Sequence, residues 1–248
     1  MSNNFIDVHG TFTVDDLERW LKLLNNTGSC SLRLPIHLPQ GGGNNLDMAL
    51  NQFVITWARK SIDPVLLTHI TPNDPYRHSQ LSRMCSRTFG ISAMTMADMI
   101  YCTDGMTKIS KREALTPAVD RLKSINSLKF KEAVSRNGID LLCIMNSGTM
   151  KYIEPFYKIP SRGELRSRDQ YSLLVEEIIK IIVQGSDEIR KRIRNNSTSH
   201  LGNILYELVQ NTDEHSLTDI DGIQYLSGTR GLPLEFIKTQ RVSAHNSK

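Results

Sequence analysis

The chain has 248 residues, a formal net charge of +4, 39% apolar side chains and 23% charged ones. Those proportions belong to an ordinary soluble globular protein of one large or two small domains. They exclude a membrane-spanning helix, because no run approaches roughly 18 apolar residues, and so mild a basicity does not by itself call for nucleic acid.

The opening MSNNFIDVHG has neither a basic head nor an apolar core, so no secretory leader is expected and a cytoplasmic location follows. The four cysteines, Cys30, Cys85, Cys102 and Cys143, lack C-x-x-C spacing and read as reduced thiols. The seven histidines are equally scattered and suggest no metal cluster.

In chain order, residues 5–8 read as a short strand. Thr13 caps a helix over 14–24 with Leu17, Trp20, Leu21 and Leu24 on one face, and residues 25–28 stop it. Alternation around Leu32, Leu34, Ile36 and Leu38 predicts a half-buried strand. Gly41-Gly42-Gly43 could cradle phosphate, but without G-x-G-x-x-G or a following G-K-S/T it reads as a turn. A helix is expected over 45–60, and PVLLTHI at 64–70 reads as a central parallel strand. Helix is expected again over 78–89 and 91–100, with Met94, Met96 and Met99 as core fillers. This β-α-β-α-β-α order predicts an α/β fold: a parallel or mixed sheet with flanking helices and right-handed crossovers.

Residues 104–125 mix both charges and read as a solvated helix face. A short helix over 130–136 ends at Gly138, and IDLLCIM at 139–145 is a buried strand. The aromatics of 152–157 beside Arg162, Arg166 and Arg168 could stack bases and hold phosphates, although a packed loop with a charged rim accounts for them as well. Pro160 to Gly163 marks the best boundary, giving an α/β regulatory or sensor domain over 1–160 and a second domain over 161–248. Ser167 or Asp169 caps a helix over 170–184 with Leu173, Leu174, Ile178, Ile181 and Ile182 inward. Residues 187–194 carry the densest basic cluster. Residues 219–231 read as a hairpin or loop, with strands at 223–226 and 235–239 around Gly228–Gly231.

The stretch that carries chemistry is LGNILYELVQNTDEHS, residues 201–216. As a helix capped by Ser197, Thr198 or Ser199, it places Glu207, Asn211 and Glu214 at i, i+4 and i+7, beside an apolar stripe of Leu201, Leu205, Leu208 and Val209. The string ELVQNTDEH resembles the N box of the Bergerat-fold, or GHKL, ATPases: the gyrase B subunit, the ninety-kilodalton heat-shock chaperones, MutL and the sensor histidine kinases. The resemblance implies that Asn211 ligates the Mg²⁺ bridging the phosphates of ATP and that Glu207 is the general base for the attacking water. It implies nucleotide contacts for Glu214 and His215 too. The chemistry is coherent, since Mg²⁺ takes few protein oxygens and a carboxylate one turn away can reach a metal-bound water. The resemblance further implies a D-x-G-x-G motif and a Gly-rich lid downstream. Residues 217–248 hold no D-x-G-x-G, so an incomplete Bergerat-type α+β domain is expected, opened by two antiparallel helices. The earlier α/β region is loosely similar to the anti-sigma-factor-antagonist (STAS) type that sometimes accompanies such ATPases.

Three functions are therefore in play. The first is an ATP- and Mg²⁺-binding regulatory protein. The second is a non-catalytic subunit docking to another chain or to its own copy, as in bacterial regulatory or phage-defence assemblies. The third is nucleic-acid binding through Arg162–Arg168 and Arg190–Arg194.

Overall fold

The computed structural model describes residues 5–36, 44–127, 129, 134–135, 138–146, 156–159, 164–182, 195–215 and 227–235. Its first half is an α/β unit. Strands β1 (Phe5–Asp7), β2 (Ser31–Arg33), β3 (Val65–Leu67), β4 (Met99–Tyr101) and β5 (Lys108–Ile109) form one sheet in sequential order. The first four run parallel, and β5 returns antiparallel to β4.

Cross-strand register aligns Ile6, Leu32, Leu66, Ile100 and Ile109 in one row, all buried. Their neighbours Asp7, Arg33, Val65, Leu67, Met99 and Tyr101 turn to the opposite face and are only half-buried. Right-handed crossovers between sequential neighbours place the connecting helices on one face, and the buried row is that face. Helices α1 (Val14–Thr27), α2 (Asn44–Lys60), α3 (Arg77–Met84) and α4 (Thr88–Met96) connect these strands, and α5 (Lys111–Asn126) follows β5. Leu17, Trp20, Leu24, Leu50, Phe53, Trp57 and Met94 join the row in a single core.

Local chemistry explains the helix ends. Thr13 and Asp16 form a reciprocal capping box, the Thr13 amide donating to Asp16 Oδ2 at 2.9 Å and the Asp16 amide to Thr13 Oγ1 at 3.3 Å. Gly28 takes the left-handed conformation at φ 66° and donates its amide to Leu24. The buried Trp57 Nε1–H donates to the Cys30 carbonyl at 2.7 Å and ties α2 to the start of β2.

Five expectations need correction here. The helix expected over 78–89 breaks after Met84, and the next begins at Thr88. The helix expected over 91–100 ends at Met96, and Met99–Tyr101 is strand β4. Three residues are too few to show a period of two, so the strand is hidden inside a Met-rich apolar run. The expected helix over 130–136 contains strand β6 (Val134–Ser135). The turn expected at Gly228–Gly231 lies inside one continuous strand, β10 (Ser227–Glu235), which pairs antiparallel with β7 (Gly138–Asn146) over nine residue pairs. That long ladder overrides the local turn preference of the glycines. Pro233 is tolerated because β10 is an edge strand in the order β10-β7-β6. The N-cap expected at Ser197–Ser199 lies inside a helix that begins at Asn195. The glycine triplet at 41–43 and the basic cluster at 187–194 lie outside the described residues.

The β7–β10 ladder links segments on either side of the division expected at residue 160. A second core gathers Phe156, Tyr157, Tyr171, Leu174, Val175, Ile178, Leu205 and Val209. Helix α5 spans both cores, contributing Leu115, Ala118 and Leu122 to the first and Ile125 to the second. A short hairpin of β8 (Tyr157–Ile159) and β9 (Glu164–Leu165) leads into the helices that carry the candidate site.

Candidate functional site

The site is built on two helices, α6 (Arg168–Ile182) and α7 (Asn195–His215). Ser167 caps α6: the Gln170 amide donates to Ser167 Oγ at 3.3 Å, and the Ser167 amide donates back to Gln170 Oε1 at 2.9 Å. Asp169, the alternative cap, lies within the first turn. Arg168 meets Glu207 while Ser172 lies against Gly202, so the two helices run antiparallel, as expected.

Their approach is closest at Gly202. A Cβ there would lie 2.6 Å from Ser172 Cα and Oγ and 2.7 Å from its amide nitrogen. Only glycine lets the backbones come this near. Around this crossing, Tyr171 stacks on Phe156 at 5.8 Å, meets Tyr206 edge-on at 5.4 Å, and donates its hydroxyl to the Phe156 carbonyl at 3.2 Å. The inner side of α7 is Gly202, Leu205 and Val209, all buried.

That locked inner side fixes what the outer side presents. Glu207, Asn211 and Glu214 are all exposed and rise as one column. Glu207 is paired with Arg168, whose guanidinium also lies 4.6 Å above the Tyr206 ring. Among the described residues the Asn211 amide has no hydrogen-bond partner. Glu214 Oε1 accepts from Gln210 Nε2 at 3.0 Å. His215 is the last residue of α7, and its side chain lies outside the described residues. Glu207 and Asn211 therefore share a face one turn apart, with solvent in front of them.

The apolar stripe expected on α7 is only half inward. Leu205 and Val209 are buried, whereas Leu201 and Leu208 are 47% and 52% exposed. Ile204, at 56% exposure, completes a surface row at i, i+3 and i+7 with them. The cause is Gly202, which has no apolar signature in the sequence yet turns the buried side toward α6. On α6, Leu173 is likewise exposed rather than inward. Arg168 was missed as a site residue, because nothing in the local pattern signals a partner 39 positions away.

Of the aromatics considered for base stacking, Phe156 and Tyr157 are buried in the second core and leave no ring face for a base. Arg168 is already engaged by Glu207 and Tyr206. Arg162 and residues 190–194 lie outside the described residues. No group of three His, Cys, Asp or Glu among the described residues is placed to hold a metal ion, and no described helix is long and apolar enough to cross a membrane.

Fold and site together define an α/β protein carrying an exposed carboxylate–amide column on a rigidly docked helix. No family model matches the chain, and no curated protein or solved structure matches it significantly.

Proposed function

We propose that the chain is an ATP- and Mg²⁺-binding regulatory protein of the histidine-kinase-like ATPase type, with α7 as its metal-facing helix. One observation carries this reading: Glu207 and Asn211 stand one turn apart on the open side of a helix whose other side is fixed against α6. The unpartnered Asn211 amide supplies one oxygen to Mg²⁺, and phosphates and water supply the rest. Glu207, one helical turn from Asn211 on the same face, would act as base toward that ion's waters. Arg168 holds Glu207 in the free protein, and Mg²⁺–nucleotide binding exchanges this exposed ion pair, worth at most about 1 kcal/mol, for stronger contacts.

A solvent-facing column gives a nucleotide only one wall, and phosphate chemistry works best where water is excluded. In this reading a second protein surface closes over α7. Leu201, Ile204 and Leu208 flank the column and form the apolar row on which such a surface seats. The test is calorimetric titration of the whole chain with ATP, with Mg²⁺ and then with excess chelator. Binding that needs Mg²⁺ and disappears in Asn211→Ala supports the reading. Binding indifferent to both removes it.

The exposed apolar row also favours a second reading, a non-catalytic docking module that uses α7 as its contact face. It predicts self-association or complex formation without nucleotide, abolished by Ile204→Glu with Leu208→Glu.

A further inference from the structure

A second candidate site lies in the α/β half and is lined by no residue of α7. A half-open cleft of about 520 Å³ is lined by Ile36, His69, Tyr76, Ser79, Gln80 and Arg83. Ile36 and His69 follow the carboxyl ends of β2 and β3, which are adjacent parallel strands. The other four residues stand at the start of α3 and along it. Side chains just past the carboxyl ends of adjacent parallel strands can converge on a ligand, and the volume falls within the range of small-molecule sites.

The cleft is preformed. Thr68 donates its amide and its hydroxyl to the Tyr101 carbonyl, at 2.9 and 3.0 Å. The Ile70 amide donates to Thr68 Oγ1 at 3.2 Å, and Thr103 donates to the Ile70 carbonyl at 2.9 Å. Asn73 adopts the left-handed conformation, φ 61°, where the chain turns toward α3. Asp74 then holds the start of the helix, accepting from the Tyr76 amide at 2.7 Å and from Gln80 Nε2 at 2.5 Å. A wall fixed by this many bonds loses little freedom when a ligand enters.

The lining chemistry selects for an anion. Arg83, His69, Ser79 and Tyr76 all offer donors, and no carboxylate is among the described residues that line the cleft. Asp74, beside the cleft, is occupied by the two donors just named. Arg83 is exposed, and its guanidinium has no partner among the described residues. A free guanidinium fork matches a carboxylate or phosphate in two parallel hydrogen bonds. Behind the cleft the charges are already balanced, Arg33 against Asp7 and Arg77 against Glu113. Arg83 is therefore the uncompensated charge. Tyr76, 72% exposed, and Ile36 supply an aromatic face and an aliphatic wall beside it. Gln80 Oε1 is a buried acceptor without a partner in the same wall.

We propose that this cleft binds a small planar-ring molecule carrying one oxyanion, a carboxylate or a phosphate monoester, with Arg83 clamping the anion and Tyr76 packing on the ring. The site shares no residue with α7 and does not depend on nucleotide binding there.

The test is a chemical-shift titration of the labelled full-length chain with phenyl phosphate, benzoate, inorganic phosphate and neutral benzamide. Phenyl phosphate or benzoate should give saturable shifts at His69, Ser79, Gln80 and Arg83, with benzamide silent and inorganic phosphate weaker than phenyl phosphate. The stronger of the two ring anions shows whether phosphate or carboxylate is preferred. Arg83→Ala should weaken binding about tenfold or more, as expected for loss of a charged hydrogen-bond donor. Arg83→Lys should recover only part of it, and Asn211→Ala should bind like the wild type, because it leaves this site intact. Arg83 is a surface side chain, so both variants should keep the native dichroism spectrum. The proposal is overturned if neither ring anion gives saturable shifts at these residues at millimolar concentration. It is equally overturned if Arg83→Ala binds like the wild type, or if inorganic phosphate binds as tightly as phenyl phosphate.

Discussion

Replacing Gly202 with alanine adds one methyl group to α7, and the geometry of the helix crossing sets the consequence. The new Cβ would fall 2.6 Å from Ser172 Cα, about 1 Å inside ordinary contact between carbon atoms, which optimises near 3.5–4 Å. Two of the three atoms it meets, Cα and the amide nitrogen of Ser172, are backbone, so no side-chain rotation relieves the clash. The helices must move apart, and overpacking of this kind costs roughly 1–3 kcal/mol. The hard backbone contact belongs at the upper end of that range. Against it, alanine in place of a helical glycine gains about 1 kcal/mol in propensity. The net expectation is a loss of about 2 kcal/mol, or a fall in Tm of roughly 4–8 °C for a chain of this size. Urea unfolding followed by far-UV circular dichroism measures it. The double variant Ser172→Gly with Gly202→Ala should recover little, since the obstructing atoms are mainly backbone. If Gly202→Ala is as stable as the wild type or more so, the two helices do not approach at that point, and the outward aim of Glu207 and Asn211 loses its support.

Other consequences are equally open to measurement. Thr13→Ala removes the capping box of α1 and should cost about 1 kcal/mol, read as a lower urea midpoint; an unchanged midpoint would show that the cap is idle. Burial raises the thiols of Cys30 and Cys85 to about 11 and about 12 and also raises that of Cys102. Iodoacetamide at pH 8 should therefore label these three only after denaturation, as peptide mass spectrometry would report; rapid native labelling would contradict their burial. His69 is held below its usual 6.5 by loss of water around the ring, with Arg33 reinforcing the effect and Asp7 opposing it. The unfolded chain then binds the proton more readily, so this contribution to stability is intact at neutral pH and declines as pH falls from 6.5 through the folded value. His69→Gln should flatten the urea midpoint over that window, and an unchanged slope would assign it to another group.

The parts of the fold legible from sequence are those with local chemical signatures. Helix α1 announces itself through Thr13, Asp16, the apolar spacing of Leu17, Trp20 and Leu24, and the stop at Gly28. The strand expected at 139–145 is plain because IDLLCIM is apolar throughout except at Asp140, and it lies within β7, Gly138–Asn146. Strands β4 and β5 are not, because three and two residues carry no period. Strand β10 is disguised by Gly228, Gly231 and Pro233, and only its distant partner β7 makes it extended. At the candidate site the spacing of Glu207, Asn211 and Glu214 was readable, since helical geometry alone sets it. The rotation of α7 was not, because a glycine-to-backbone contact decides it. The anion cleft draws on residues from 36 to 83 that no motif connects. Three segments must fold before they meet.

The central claim is that Asn211 and Glu207 face a Mg²⁺-bound nucleotide, and paramagnetic broadening by Mn²⁺–ATP tests it most directly. With Mn²⁺ in place of Mg²⁺, the account predicts that the amide resonances of residues 207–214 broaden first in the labelled chain, and that Asn211→Ala restores them. Broadening centred on His69 and Arg83 instead, or none along α7 at saturating Mn²⁺–ATP, would contradict it.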